Sequence, residues 1–566
     1  MYRAPETAAG SQLSAEIAGI LDDAWIELQR VTAGGSHRHH VPEISETEAR
    51  RRASVGIALA DRIKSLPPLV AGSHAAAALA VASYHARRWS SEESFYWTAF
   101  ECGGWFKSMF APTGDGLGRV ISSVLQQFDN AEVTTKADAE EWMNALSNLA
   151  RLVSQLTERT KGQADRGIFM PQLLFPSAIA LVKGMRGQAK AIRKPSALLA
   201  SEEIDRRMTS VDQAFAGFEA VLDADYAAHC SEHVGISQYP DGLDAYDELL
   251  FQNTTLDLSP ERIHRIGEDE VAEIFERMQM LSSDAGFGSD VARYRASLDA
   301  DPRWRASRAE DIADRFRHHM GKMEKVVLDY FHHADLPRAP YDARALPSVL
   351  EGTMAYGYYD QPRQDRPEGV YLFNASNLMM RSLVDVGAFT YHELVPGHHV
   401  HFAGQLENTE LHPLQRHTFC NAFNEGWAEY GRRLAEDAGL YDEPAEVFGG
   451  LANDMRQATR LVVDTGLNVL GWSSDQARRF MSKYTLIPFT EVDALINWYA
   501  CEIPGQSVAY SLGRREMLRF RDIARKSAGA AFDIRNFHHT VLRHGGRPLG
   551  AVEADIRFEA EASLKP

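Results

Sequence analysis

Residues 390–399 read Thr390-Tyr391-His392-Glu393-Leu394-Val395-Pro396-Gly397-His398-His399, and how this decapeptide folds decides what surrounds it. On an ideal helix His398 lies about 240° around the axis from His392 and ~9 Å along it, while His399 returns to the same face ~10.5 Å along. Pro396 has no N–H for the carbonyl of His392, four residues back. Gly397 tolerates backbone conformations closed to other residues. The stretch therefore reads as a helix with a built-in break, and a break here can swing the next histidine back towards the first.

Outward from it, most of the 566 residues read as helix. Apolar residues recur at three- and four-residue steps over 14–31, 47–63, 137–163 and 202–226. Ser259-Pro260-Glu261-Arg262 is a helix start, with a serine cap, proline at the first helical position and acid in the first turn. Strand-like alternation is scarce and clearest over 369–374. Two regions read as breaks: 282–303, with scattered Gly, Ser and Asp, and the proline-punctuated 335–367. The expectation is a mainly α, large multi-lobed helical body with a small β element near its site. Its regions are 1–165 (N-terminal helical), 166–340 (middle helical) and 341–566 (metal-binding and catalytic), free to pack as one body.

Six of the 21 histidines fall between positions 392 and 417. His392-Glu393 followed by a further histidine is similar to the zincin pattern H-E-x-x-H, in which two histidines bind zinc and the glutamate is the general base. Here Pro396 stands where the second histidine belongs, so the motif is a zincin helix with a two-residue insertion at the break. Both His398 and His399 are candidates for the second ligand, His399 because it shares an ideal face with His392. Downstream, Asn424-Glu425-Gly426-Trp427-Ala428-Glu429-Tyr430 resembles a segment of the aminopeptidase N family whose glutamate is the third zinc ligand.

These two segments, with Pro504-Gly505-Gln506 and Tyr510-Ser511-Leu512-Gly513, resemble the bacterial domain-of-unknown-function family 885. That is a largely helical set of HExxPGHH gluzincin-type metallopeptidases, distantly similar to the carboxypeptidase Taq and aminopeptidase N families. Matching segments run from about Gly167 to Leu549. The resemblance implies a gluzincin-like pair of active-site helices and one Zn2+ held by His392, His398 and Glu425. It gives Glu393 the role of base and Tyr510 that of hydrogen-bond donor to the oxyanion. It also places an extended substrate along an edge strand at 369–374, next to Asn374. His399, His401, Asp464, Asn468 and His538 are candidates for supporting or substrate-facing roles. For Tyr510 the alternative is a core tyrosine, and for Asp464 it is a cap or an ion pair with Arg460. Two positions depart from the family: His401 replaces Gln and Asn468 replaces His, which suggests a specialised substrate. Trp427 reads as packing. The pairs His318-His319 and His332-His333, and the run 36–40, read as surface features.

The function expected is a zinc-dependent hydrolase of a peptide or small amide-containing substrate. The alternatives are a biosynthetic zinc enzyme acting on a small natural product, by lactam, ester or epoxide opening, dehydration or cyclisation, and a non-catalytic binder on the same scaffold. Composition excludes other classes. Sixty Lys and Arg against 78 Asp and Glu leave a net charge of −18, which argues against nucleic acid and anionic membranes as partners. That charge reads as a solubility feature that would disfavour acidic substrates if it extended to the site. No stretch reaches the ~18 apolar residues of a membrane span. Met1 to Leu28 has no apolar core of the signal-peptide kind. Cys102, Cys230, Cys420 and Cys501 are widely spaced, so no disulfide framework is expected and a reducing cytoplasm fits.

Overall fold

Apolar residues that recur once per helical turn can all be buried on one face, and this pattern places the helices. The computed structural model describes residues 8–31, 41–101, 106–114, 118–198, 201–348, 356–363, 365–378, 381–486 and 489–562; Cys102 and the expected loop at 36–40 lie outside them. The helices expected from periodicity span Ala8–Val31, Glu46–Ser65 and Lys136–Ala164. The one expected over 202–226 stops at Val221 and resumes as Ala224–Ala228, because Asp223 accepts a hydrogen bond from the Tyr226 N–H and caps a new helix. Ser259 caps Pro260–Asp284 by accepting from the Arg262 N–H. The break expected over 282–303 holds a further helix, Val291–Ala300, capped by Asp290 and burying Val291, Tyr294 and Leu298 on one face.

The chain is mainly α, with few and short strands. Gly369–Phe373 lies between Tyr341–Ala345, to which it is parallel, and Gly357–Asp360, to which it is antiparallel. It is therefore the central strand. Its backbone groups are spent on both neighbours, so it cannot be the edge on which a substrate is laid.

One apolar core draws Trp142 and Leu149 from the first region, Phe215 and Tyr246 from the second, and Leu461 and Tyr499 from the third. Two further cores meet at the 390–399 stretch. One contains Phe316, Tyr371, Leu394 and Met455, the other Tyr391, Val395, Trp427 and Phe520. Helix Pro260–Asp284 is pressed onto helix Pro444–Asn468 at Gly267, where a Cβ would meet that of Leu461 at 2.6 Å. Among the described residues no helix is long and apolar enough to cross a membrane, and Cys230, Cys420 and Cys501 are free and buried.

Candidate metal centre

The central stretch breaks completely: Val386–Glu393 is one helix and His398–Glu407 the next. Leu394 and Gly397 leave helical geometry, with ψ of −110° and −124°. A Cβ on Gly397 would lie 1.9 Å from the His392 carbonyl oxygen, so only glycine fits the turn. Trp427 packs as expected and donates its indole N–H to the Pro396 carbonyl at 2.9 Å. The turn folds the second helix back, and the His392 and His398 rings stand 4.7 Å apart at 82°.

Helix Asn421–Asp437 brings two carboxylates, Glu425 and Glu429, one turn apart on one face. It crosses helix Ala509–Ala528 at very short range. A Cβ on Gly513 would lie 2.1 Å from the Ala422 carbonyl oxygen, and one on Gly426 2.4 Å from the Gly513 carbonyl carbon. Glycine at both positions permits this approach, which brings Tyr510 to the site. Its ring stacks on that of His392, with centroids 6.4 Å apart and planes at 15°.

Glu425 Oε2 lies 3.5 Å from His392 Nε2 and 3.5 Å from His398 Nε2. It is buried and has no hydrogen-bond partner. These separations exceed the 2.7–3.2 Å of good N–H···O bonds. They match the edge of a tetrahedral zinc set, since bonds of about 2.1 Å put ligand atoms ~3.4 Å apart. A cation at the centre of this triangle would satisfy the orphaned oxygen and both ring nitrogens. Ligand atoms of His392, Glu393 and His398 lie within 4.8 Å of one another, so the Glu393 carboxylate adjoins the same point.

Behind His392 stands a carboxylate that the sequence reading missed. Glu429 Oε1 is 3.0 Å from His392 Nδ1. Glu429 also accepts from Gln457 Nε2 at 3.1 Å and pairs with Arg432, which reaches Asp454 at 2.7 Å. A carboxylate on the outer nitrogen of a histidine fixes its tautomer and orientation. The only sequence signal for it is the i, i+4 spacing from Glu425.

Burial opposes charge on His392, but Glu425 and Glu429 outweigh it and push its pKa up to about 10. Burial raises Glu425, yet the two histidines hold it down to about 2. Burial raises Glu393, with His392 and His398 opposing. Tyr510 is also raised by burial and by the charge of Glu425, which keeps its phenol protonated at neutral pH.

The remaining candidates make their hydrogen bonds to groups other than His392, His398 and Glu425. His399 spends both ring nitrogens, on the Tyr359 hydroxyl at 2.8 Å and the Ala339 carbonyl at 3.0 Å, so His398 is the histidine that faces Glu425. Burial lowers His399 to about 4. His401 is buried and bonds Gln405 at 2.8 Å. Asp464 makes no ion pair or hydrogen bond with His392 or with Arg460, one turn away on its own helix. It accepts from the Tyr246 hydroxyl at 2.7 Å, Ser507 Oγ at 2.6 Å and the Gly505 N–H at 3.0 Å. Burial, opposed by these bonds, raises Asp464 to about 6. Asn468 donates to the Asp464 and Tyr499 carbonyls and accepts from the Ile236 N–H. His538 bridges the Tyr430 hydroxyl and the Tyr330 carbonyl, both at 2.8 Å. Asn374 accepts from Ser376 N and Oγ beyond the central strand. His319, expected at the surface, is fully buried against Glu446 at 2.9 Å and the Tyr391 hydroxyl at 3.1 Å. The strand beside the site is Gly357–Asp360, whose Tyr359 ring lies 6.4 Å from that of His398 at 28°.

The family model "Bacterial protein of unknown function (DUF885)" matches residues 29–556, so the match starts well before the first quoted motif. No curated protein gives a significant sequence match. Two solved structures share the fold over nearly the whole chain. The first is described as "the putative lipoprotein from Colwellia psychrerythraea". It is 22% identical, with a TM-score of 0.81 over 97% of this chain and 99% of its own. The second is "a putative lipoprotein of unknown function from Shewanella oneidensis", 16% identical, with a TM-score of 0.71 over 96% and 98%.

Proposed function

We propose that this chain, which belongs to the bacterial DUF885 family, is a zinc-dependent hydrolase that cleaves a peptide or amide bond. The observation that carries the reading is the buried, partnerless Glu425 Oε2, set at tetrahedral-edge distance from two imidazole nitrogens, with Glu393 alongside. Two histidines and one carboxylate form a gluzincin-type set, in which the fourth zinc position is left for chemistry. Zinc bound there would polarise the scissile carbonyl and acidify water.

The chain's own residues supply the rest. Glu429 fixes His392 so that Nε2 faces Glu425. Glu393, whose pKa burial raises against the opposing His392 and His398, takes a proton from the attacking water and passes it to the departing amine. Tyr510, whose ring lies over His392, donates a hydrogen bond to the developing oxyanion.

Asn468, one of the two departures that suggest a natural-product enzyme, is spent on internal hydrogen bonds, and His401 turns its Nε2 to Gln405, so the hydrolase reading is preferred. The test is Glu393→Gln. The variant should keep one zinc per chain and lose turnover of an acyl-dipeptide library by at least ~10²-fold. Full turnover by the variant, or failure of the wild type to bind zinc, refutes the reading.

A further inference from the structure

Helix Pro444–Asn468 carries two arginines one turn apart, Arg456 and Arg460. Neither makes an ion pair with a described carboxylate, whereas their neighbours Arg432 and Arg514 pair with Glu429, Asp454 and Glu270. Arg460 is 8% exposed. Its Nε donates to the Tyr499 hydroxyl at 3.1 Å, and its buried Nη1 has no partner. The indole N–H of Trp498, whose ring lies 5.4 Å from the Arg460 guanidinium carbon, is also buried and unpartnered. Arg456 bonds Asn453 and leaves its Nε unpartnered. A buried guanidinium without an ion-pair partner is costly, and the orphaned donors of Arg460 and of Trp498 beside it are groups that an anion would satisfy.

That place adjoins the metal centre. The Arg460 guanidinium carbon lies 4.7 Å from the centroid of the Tyr510 ring, which stacks on His392. The two separations keep it within about 11 Å of the His392 ring. Arg456 lies 5.4 Å from the ring of Phe389, on the helix of His392 and Glu393. Within that limit, one residue, ~3.5 Å of extended chain, with a hydrogen bond of ~2.8 Å at the arginine end, would join a carbonyl at the metal position to a carboxylate on Arg460.

We propose that Arg460, supported by Arg456, binds the free α-carboxylate of the substrate. The substrate class is then an acylated amino acid or peptide cut at its C-terminal amide. This rests on the hydrolase reading above for its reaction but not for its binding. At this point an acidic substrate would be favoured despite the net charge of −18.

The test is direct binding to the full chain carrying E393Q, so that nothing turns over, with and without zinc. The probes are benzoyl-glycyl-glycine, benzoyl-glycyl-glycinamide and the α-amide of benzoyl-glycyl-aspartate, which keeps only a side-chain carboxylate. Titration calorimetry should show the free α-carboxylate binding at least tenfold tighter than the glycinamide. That preference should survive zinc removal and fall below twofold when R460M is added. R456Q should cut it at least threefold, and it carries the test alone if R460M does not fold. Equal affinities, or a preference untouched by these arginine variants, overturns the proposal. A preference that vanishes with the metal puts the carboxylate on zinc and overturns it as well. An aspartate amide that binds as tightly as the free α-carboxylate overturns the C-terminal assignment. The hydrolase reading fails separately, if the zinc-loaded wild type binds the carboxylate probe with this preference and cleaves no amide.

Discussion

Glu429→Gln tests whether the carboxylate behind His392 governs the metal site. The side chain is 2% exposed and its pKa is held far below the usual range, with burial opposing and Arg432 and His392 prevailing. Glutamine preserves its shape. It removes the charge that orients His392 through a 3.0 Å contact at Nδ1. Arg432 keeps a partner, since it also reaches Asp454 at 2.7 Å, so the fold should survive. Losing such a partner typically costs 10–100-fold in metal affinity, or about 1.4–2.7 kcal/mol. The pH dependence sharpens the test. Zinc must displace the proton that Glu425 and Glu429 stabilise on metal-free His392, whose pKa they push up to about 10. Below that pKa, affinity falls tenfold for each unit of pH lost to this one proton. The variant, with one carboxylate gone, should reach its plateau at lower pH. Competitive titration against a chromophoric chelator from pH 6 to 10 reads both effects. A zinc Kd within twofold of wild type across this range would refute the role assigned to Glu429.

Replacement of His398 by Gln should abolish stoichiometric zinc, whereas His399→Gln should retain one zinc per chain, because both His399 nitrogens are already spent on Tyr359 and Ala339; metal analysis after dialysis reads the difference. Gly397→Ala would place a methyl 1.9 Å from the His392 carbonyl oxygen. Urea unfolding should show a loss of at least about 2 kcal/mol together with loss of zinc. Tyr510→Phe should lower kcat by ~10²-fold or more while leaving the zinc Kd unchanged. Glu446 is held down to about 2 by His319 and Arg315 against the effect of burial. A depressed carboxylate contributes stability above its unfolded pKa and loses it as pH falls through the folded one. The wild type should therefore lose melting temperature between about pH 4.5 and 2, and Glu446→Gln should lose less over that window.

What was legible in the sequence was local. Pro396 and Gly397 announced a helix break by their own backbone chemistry, and the break is there. Ser259 announced a cap, and the expected helices form with shifts of a few residues at their ends. What stayed hidden depended on partners far away in the chain. Nothing near Asn468 says that its amide oxygen takes the Ile236 N–H, 232 positions distant. His319 reads as one of a surface pair until Glu446 is folded against it. A five-residue strand does not declare its neighbours, so Gly369–Phe373 could be recognised as a strand but not as the central one. Glu429 lay between the two cases: its spacing from Glu425 was visible, but its use depends on where the helix break sends His392.

Net charge was the least informative quantity of all, for a physical reason. It averages over a surface, while a buried site responds to the few groups within several ångströms. Behind His392 the carboxylates Glu429, Asp454 and Glu270 are met by Arg432 and Arg514, so that shell is close to balanced. At the centre, Glu425 and Glu393 would be met by a divalent cation. Arg456 and Arg460 make no ion pair with a described carboxylate and bond Asn453 and Tyr499 instead. On the reading proposed above, with the cation bound, the site is positive inside a chain whose total is −18, and a ligand bearing a carboxylate is the species that would remove the imbalance.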